Sequence, residues 1–388
     1  MKALLFERSI PKFAAARLAT AITGGGGPSV RIGPLRLTEI EEPTPPPSAT
    51  GWHRVRPRLA GICGSDLATI DARSSRWFEP IVSFPFVPGH EVIGELDDGT
   101  RVVLEPVLSC AARGIDPLCP SCATGDNGNC QRIAFGHVAP GLQIGFCKDT
   151  GGGWSTALVA HESQLHRVPD DLSDEAAVMV EPTACAVHAV ESSFIAPGAT
   201  VAVIGAGTLG LCTIAALSRL TSAGCVIAAA KHPEQRRLAA DLGADVVAAP
   251  AELARAVRRA TGALALDDGR LSGGADVTID CVGNADSIEQ ALMVTRPRGR
   301  ISMVGMPGVV RVDLTPLWQR EISLTGAYAY RHTTFDTAFA LVRDARLERL
   351  VSALYPLDRF TDAIEHASAA GRRGGVKIAF DLRGERRR

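Results

Sequence analysis

The chain has 388 residues, 46% of them hydrophobic and 21% charged, with a formal net charge of −1. That length exceeds one ordinary core and implies about two domains, while the near-neutral charge excludes any general attraction to nucleic acid or membrane surfaces. Its ten cysteines come with no convincing secretory signal, so they are expected to be reduced, in a cytoplasmic protein, and clustered ones read as metal ligands before disulfides.

In chain order, the apolar stretch FAAARLATAI (13–22) is interrupted by Arg17 and follows no positive leader, which argues against a signal peptide. AITGGGGPSV (21–30) reads as a flexible loop. Strand-like pieces then follow, HRVRPRLAGI, HEVIGEL and RVVLEPV, separated by Pro and Gly with few helix signals. Residues 1–195 are therefore expected to form a mostly β, barrel-like domain. From 201 the pattern changes. VAVIGAG is a strand entering a glycine turn, and LGLCTIAALSRLTSAG is a helix closed by Gly224. CVIAAA is a second strand, and KHPEQRRLAADLGAD is a helix with Pro233 in its first turn and Gly243 at its end. DVTIDCVG and RISMVGM are further strands, with DSIEQALMV between them opening on a capping box of Asp286 and Glu289. This alternation predicts an α/β, doubly wound parallel-sheet domain over 196–329. The run 201–217 approaches membrane-spanning length, but its glycines are spaced for another purpose. Residues 330–388 hold two helix patterns and the strand KIAFDL, and are expected to complete the first domain; the closing run RGERRR reads as a solvated tail.

GAGTLG supplies Gly205, Gly207 and Gly210, with Thr208 and Leu209 between them, directly after a strand and opening a helix. That context is the one a dinucleotide site requires: a tight turn, a close backbone approach to pyrophosphate, and a helix N-terminus facing the phosphates. The second strand ends at Ala230, where an acidic residue would hold the ribose of NAD. Lys231 and His232 follow, with Arg236 and Arg237 a turn later, and small-plus-basic favours NADP over NAD.

Cys119, Cys122 and Cys130 have the spacing C-x₂-C-x₇-C, with Cys110 upstream. Four thiolates on one loop match a closed structural zinc site. Cys63, in GICGSDLATI, together with His90 and Glu91 of PGHE, offers a second set with an open fourth position, as a catalytic zinc requires. Neighbouring strand residues point to opposite faces, so His90 and Glu91 share a metal only if Pro88 and Gly89 bend the chain. Glu181, in VEPTACAVHAV, competes for the same place. Asp66 is placed to hold the far nitrogen of His90. Trp77, Phe78, Phe84 and Phe86 read either as barrel core or as the wall of an apolar pocket.

With GICGSDL, PGHEVIGE, the cysteine loop, VEPTACAVHAV and VAVIGAGTLGL in this order, the chain resembles the zinc-containing medium-chain dehydrogenase/reductase family. The resemblance implies a GroES-like β-rich catalytic domain around a Rossmann domain. It implies alcohol or polyol oxidation with zinc and a nicotinamide, on an alcohol, aldehyde or ketone substrate, in a homodimer or homotetramer. By the same resemblance Cys63, His90 and Glu91 hold the catalytic zinc, and Glu181 lies beside the metal and its water. Ser65 hydrogen-bonds the reacting hydroxyl, Val282, Gly283, Val304 and Gly305 line the nicotinamide, and Lys377 lies near the cofactor phosphates. Two departures stand out. Eight residues separate Cys110 from Cys119 where related loops have two, and Ala68 replaces a histidine that relays protons. Water or another side chain, such as His53, would then complete that relay. Rival readings are a metal-free NADPH-dependent reductase of the same superfamily and a non-enzymatic nicotinamide-binding protein.

Overall fold

The computed structural model describes residues 1–23, 27–46, 50–306 and 308–387. The chain divides into two compact units, Met1–Glu181 with Tyr330–Arg388, and Pro182–Ala329. The division falls inside the helix Val180–Ser192 and so precedes the expected boundary at 195/196. From Pro182 onward this helix belongs with the second unit, where the Thr183 hydroxyl donates to Cys212 Sγ at 3.5 Å.

The first unit is built on the long strand Trp52–Gly61. It pairs antiparallel with Val92–Glu95 on one side and with Lys377–Asp381 on the other, and its first half pairs with Leu158–His161. Arg101–Leu104 and Leu165–Arg167 extend the sheet one way, and Val351–Tyr355 closes it the other way in parallel with Lys377–Asp381. A strand from the end of the chain thus lies beside the central one. Trp154 is fully buried beneath this sheet, its ring 5.2 Å from Phe380 and its Nε1–H on the carbonyl of Gly61.

Lys2–Phe6 pairs antiparallel with Leu35–Glu39, and two helices, Ile10–Thr23 and Gly27–Ile32, are inserted between them. The loop expected over 21–30 is therefore helical on both sides of residues 24–26, which lie outside the described residues. The long helix escaped notice because it buries only Ala16 and Thr20, leaving Ile10, Leu18 and Ile22 exposed. Within the described part of the basic end, Arg383 pairs with Asp381 and Glu175, and Glu385 pairs with Lys2.

The second unit is a six-stranded, wholly parallel sheet. Its strands run in the order Val246–Ala248, Cys225–Ala229, Thr200–Ile204, Ala275–Asp280, Thr295–Met303 and Ser323–Gly326. The first strand of the unit, Thr200–Ile204, sits third, so the order reverses beside it and opens a crevice at the strand ends. Residues 201–217 are a strand followed by part of the helix Thr208–Leu220, and among the described residues no helix is long and apolar enough to cross a membrane. Two sequence-based helix ends shift. The helix Ala285–Val294 is capped by Asn284 with Ser287, not by Asp286 with Glu289. Gly224 lies past the end of Thr208–Leu220, and its missing Cβ leaves room for the carbonyl of Gly198.

Candidate active site

The strand Trp52–Gly61 delivers Cys63 to the N-cap of the short helix Gly64–Ile70. Asp66 makes that junction: its Oδ2 accepts the Cys63 N–H at 2.9 Å, while Oδ1 lies 3.5 Å from His90 Nδ1. Neither of those two facing atoms makes a hydrogen bond, although both are buried. His90 and Glu91 precede the strand Val92–Glu95, and the bend that turns both inward is made at Gly89, whose φ is +96°. A side chain there would strike Trp154, so only glycine serves. Cys63, His90 and Glu91 each place a ligand atom within 4.8 Å of the others. Burial disfavours the charged His90 ring, but Asp66 and Cys63 outweigh it and hold its pKa well above the usual range.

Glu181 lies outside that set of three. It is buried, and Tyr330 Oη donates to its Oε1 at 3.1 Å. Burial raises its carboxyl pKa, with Glu91 adding and His90 and Lys377 opposing. The sequence reading placed Lys377 near the cofactor phosphates. It belongs to the first unit, is 1% exposed, and its Nζ donates to Glu91 Oε2 and to the Ile62 carbonyl. The sheet register explains this, because Lys377–Asp381 pairs with the end of the strand leading to Cys63. Ser65 is half-buried in the first turn of its helix, and Ala68 is buried one turn on. His53 is exposed near the start of the central strand, roughly 26 Å along it from Gly61, so it cannot complete a proton path from Cys63.

The aromatic residues separate by role. Phe86 is core, stacked 5.1 Å from Phe6, whereas Trp77 is 80% exposed. Phe84 and Phe78 are half-buried. One ring beside the site was not singled out from the sequence: Phe146 lies 6.1 Å from His90 and 5.3 Å from Phe86.

All four loop cysteines converge and are buried, Cys110 included. Cys110 Sγ is 3.6 Å from Cys130 Sγ, and the backbone N–H groups of Cys119, Gln131 and Arg132 point at Cys110, Cys119 and Cys130 sulfurs. Amides aimed at sulfur suit thiolates that carry negative charge, so this donor set fits a tetrahedral metal. The eight-residue gap has its own use. It carries Arg113, fully buried, whose guanidinium donates to the carbonyls of Leu108, Phe135, Val138, Ala139 and Gly141.

In the second unit Gly205 has φ +89°, and Gly210 lies so close to the Gly205 carbonyl that no Cβ fits. Gly207, the N-cap ahead of Thr208 and Leu209, has open space where a side chain would stand. That is the cradle a pyrophosphate requires. Asp280, unremarked in the sequence, organises the facing turns. Its carboxylate accepts the N–H groups of Val282 and Gly283 and the Ser287 hydroxyl, and its carbonyl accepts those of Val304 and Gly305. Lys231 is exposed and His232 caps the helix Pro233–Asp241. Arg236 donates to the carbonyls of Ala230 and Lys231, and Arg237 pairs with Glu234 and Asp241.

Comparison with known proteins agrees with this arrangement. Residues 49–170 match the alcohol dehydrogenase GroES-like domain and residues 208–344 the zinc-binding dehydrogenase model. The chain is 29% identical to L-idonate 5-dehydrogenase of Vitis vinifera, over 85% of this chain and 87% of that one. It is 30% identical to the probable D-xylulose reductase A of Arthroderma otae, over 80% and 84%. Among solved structures, a candidate zinc-binding dehydrogenase from Sinorhizobium meliloti 1021 bound to NADP is 26% identical, with a TM-score of 0.70 over 89% of this chain and 95% of that one. The chain belongs to the zinc-type medium-chain alcohol and polyol dehydrogenase family. With that family it shares oxidoreduction of alcohol/carbonyl pairs with a nicotinamide cofactor.

Proposed function

We propose that this chain is a zinc-dependent, NADP-preferring dehydrogenase of a polyol or related alcohol. The observation that carries the reading is the convergence of Cys63, His90 and Glu91. A thiolate, an imidazole and a carboxylate are three protein ligands that leave one position for substrate. The buried, unbonded Nδ1 of His90 facing Asp66 supports a ring fixed for metal binding through its other nitrogen. Zinc held there supplies Lewis acidity to the substrate hydroxyl, and the nicotinamide supplies the hydride acceptor.

The protein's own residues do the rest. Lys377 donates to Glu91 Oε2 and holds that carboxylate in place beside Cys63 and His90. Tyr330 orients Glu181 beside the set, where it holds a water. Ser65 takes the hydroxyl proton, which passes to solvent water because Ala68 cannot accept it. The structural zinc reading of Cys110, Cys119, Cys122 and Cys130 rests on their amide-bonded sulfurs. Gly205, Gly207 and Gly210 would bind the pyrophosphate, with Val282, Gly283, Val304 and Gly305 about the nicotinamide. The absence of an acidic residue at Ala230, with Lys231 and His232 beyond it, favours a 2′-phosphate. Relatives named for L-idonate, sorbitol and D-xylulose support the substrate class, and ten free thiols suit a cytoplasmic enzyme.

A metal-free reductase would have no use for the Cys63 set. Elemental analysis should therefore find zinc at both thiolate-containing sets. Cys63→Ser should abolish polyol oxidation with the fold intact, and kcat/KM should be higher with NADP than NAD. A metal-free protein that still transfers hydride would overturn the reading.

A further inference from the structure

The first unit contains another convergence, remote in sequence from the Cys63 set and free of sulfur. Glu105 follows the strand Arg101–Leu104, His166 sits in Leu165–Arg167, and His332 precedes the helix Thr334–Ala345. Their candidate ligand atoms lie within 4.8 Å of one another. Glu105 Oε2 is 3.0 Å from His166 Nε2 and 2.6 Å from His332 Nδ1, and Asn127 Nδ2 donates to Oε1 at 3.2 Å. We propose that Glu105, His166 and His332 bind a first-row divalent cation such as zinc or nickel.

The charge balance favours a cation. The Glu105 side chain is 1% exposed, and among the described residues its hydrogen-bond partners are two imidazoles and an amide, with no lysine or arginine. A buried carboxylate needs a counter-charge. The two imidazole rings lie 4.6 Å apart, close enough to share one ion with the carboxylate. A divalent ion held by all three groups gives the anion that partner. Imidazole nitrogen and carboxylate oxygen are the donors that zinc and nickel accept, at about 2.0–2.2 Å. The 3.0 Å separation of Glu105 and His166 is close to the edge of such a sphere.

Two of the three ligands are held in advance. Gln164 accepts the Glu105 N–H with its carbonyl and donates its side-chain amide back to the Glu105 carbonyl. The His166 ring stacks on Phe335 at 4.0 Å and 4°. His332 is half-exposed and borders a cavity of about 130 Å³ with Ser109, Asn127 and Ser163, which leaves room for water to complete the coordination. Tyr330, the partner of Glu181, is two residues from His332, so a bound ion would anchor that segment to the sheet.

Cobalt(II) substitution separates this site from the others, because both thiolate sets give sulfur charge-transfer bands and this one gives none. Titrated with cobalt, the protein should take up an equivalent beyond the thiolate sites, adding visible absorption without near-ultraviolet bands, and its melting temperature should rise. His332→Ala, at a half-exposed position, and Glu105→Gln should each lose that equivalent and that rise while keeping the thiolate spectrum. No sulfur-free equivalent in the unmodified protein, or one that survives in folded His332→Ala, would overturn the proposal.

Discussion

At the scale of single residues, Lys377 and Glu91 are each at most 3% exposed at the side chain, and each is the other's counter-ion. Removing one partner of a buried pair leaves an uncompensated charge, which costs about 3–5 kcal/mol. Lys377→Met should destabilise the catalytic unit by about that much in equilibrium urea unfolding. Adding Glu91→Gln should recover part of the loss. A drop of less than about 1 kcal/mol in the single variant would mean the pair is not held as described. His161 gives a pH-dependent counterpart. Its Nδ1 accepts the Ser163 N–H at 3.1 Å, and burial first, then His53, push its pKa below the usual 6.5. The unfolded chain therefore binds that proton more readily than the folded one. Stability should be fully present above pH 6.5 and be lost as pH falls from there through the folded-state pKa. His161→Asn keeps an acceptor without a titratable proton, so it should flatten the melting temperature between pH 5 and pH 7. An unchanged slope would assign the acid loss to other groups.

At the scale of elements, what was readable in the sequence depended on how local the pattern is. The glycine turn Gly205–Gly210 and the strand–helix alternation around it show in a few adjacent residues, and so do the cysteine spacings. The Lys377–Glu91 pair and the Tyr330–Glu181 contact join residues far apart in the chain, and no short window holds both partners. The helix Ile10–Thr23 was obscured for a different reason: its apolar residues face outward, so its periodicity does not mark a core face. The gap between Cys110 and Cys119 looked like a defect in a motif. In the structure it is the segment that brings Arg113 to five carbonyls. Arg113→Met should leave those acceptors unsatisfied and cost at least about 3 kcal/mol, with loss of loop-bound zinc before loss of the Rossmann unit. Retention of zinc and of the full melting temperature would show that the loop stands without it.

At the scale of the whole molecule, the parallel sheet of the second unit ends on Ser323–Gly326, whose four residues are all exposed. Trp318, Leu324 and Tyr328 are exposed beside it, at 78%, 38% and 44%. An open, apolar edge invites pairing, and a second copy of the same edge is the partner expected for a homodimer. Leu324→Lys should shift the protein toward monomer in sedimentation velocity without removing cofactor binding. A monomeric unmodified protein would dispose of the idea.

The catalytic unit also has a history in time. Glu91 and Lys377 are 286 residues apart, and the strand carrying Lys377 is laid beside the centre of a sheet whose other strands, Val351–Tyr355 excepted, are made far earlier. On a translating ribosome Cys63, His90 and Glu91 emerge early, yet the Lys377 ammonium that partners Glu91 arrives only when synthesis is nearly over. Until then the nascent carboxylate keeps its water, and the pocket it belongs to stays open. The Rossmann unit lies wholly between the two halves and can fold while its neighbour waits. A ribosome that stalls before residue 377 therefore leaves a chain with a finished nucleotide fold and a Glu91 without its ammonium partner.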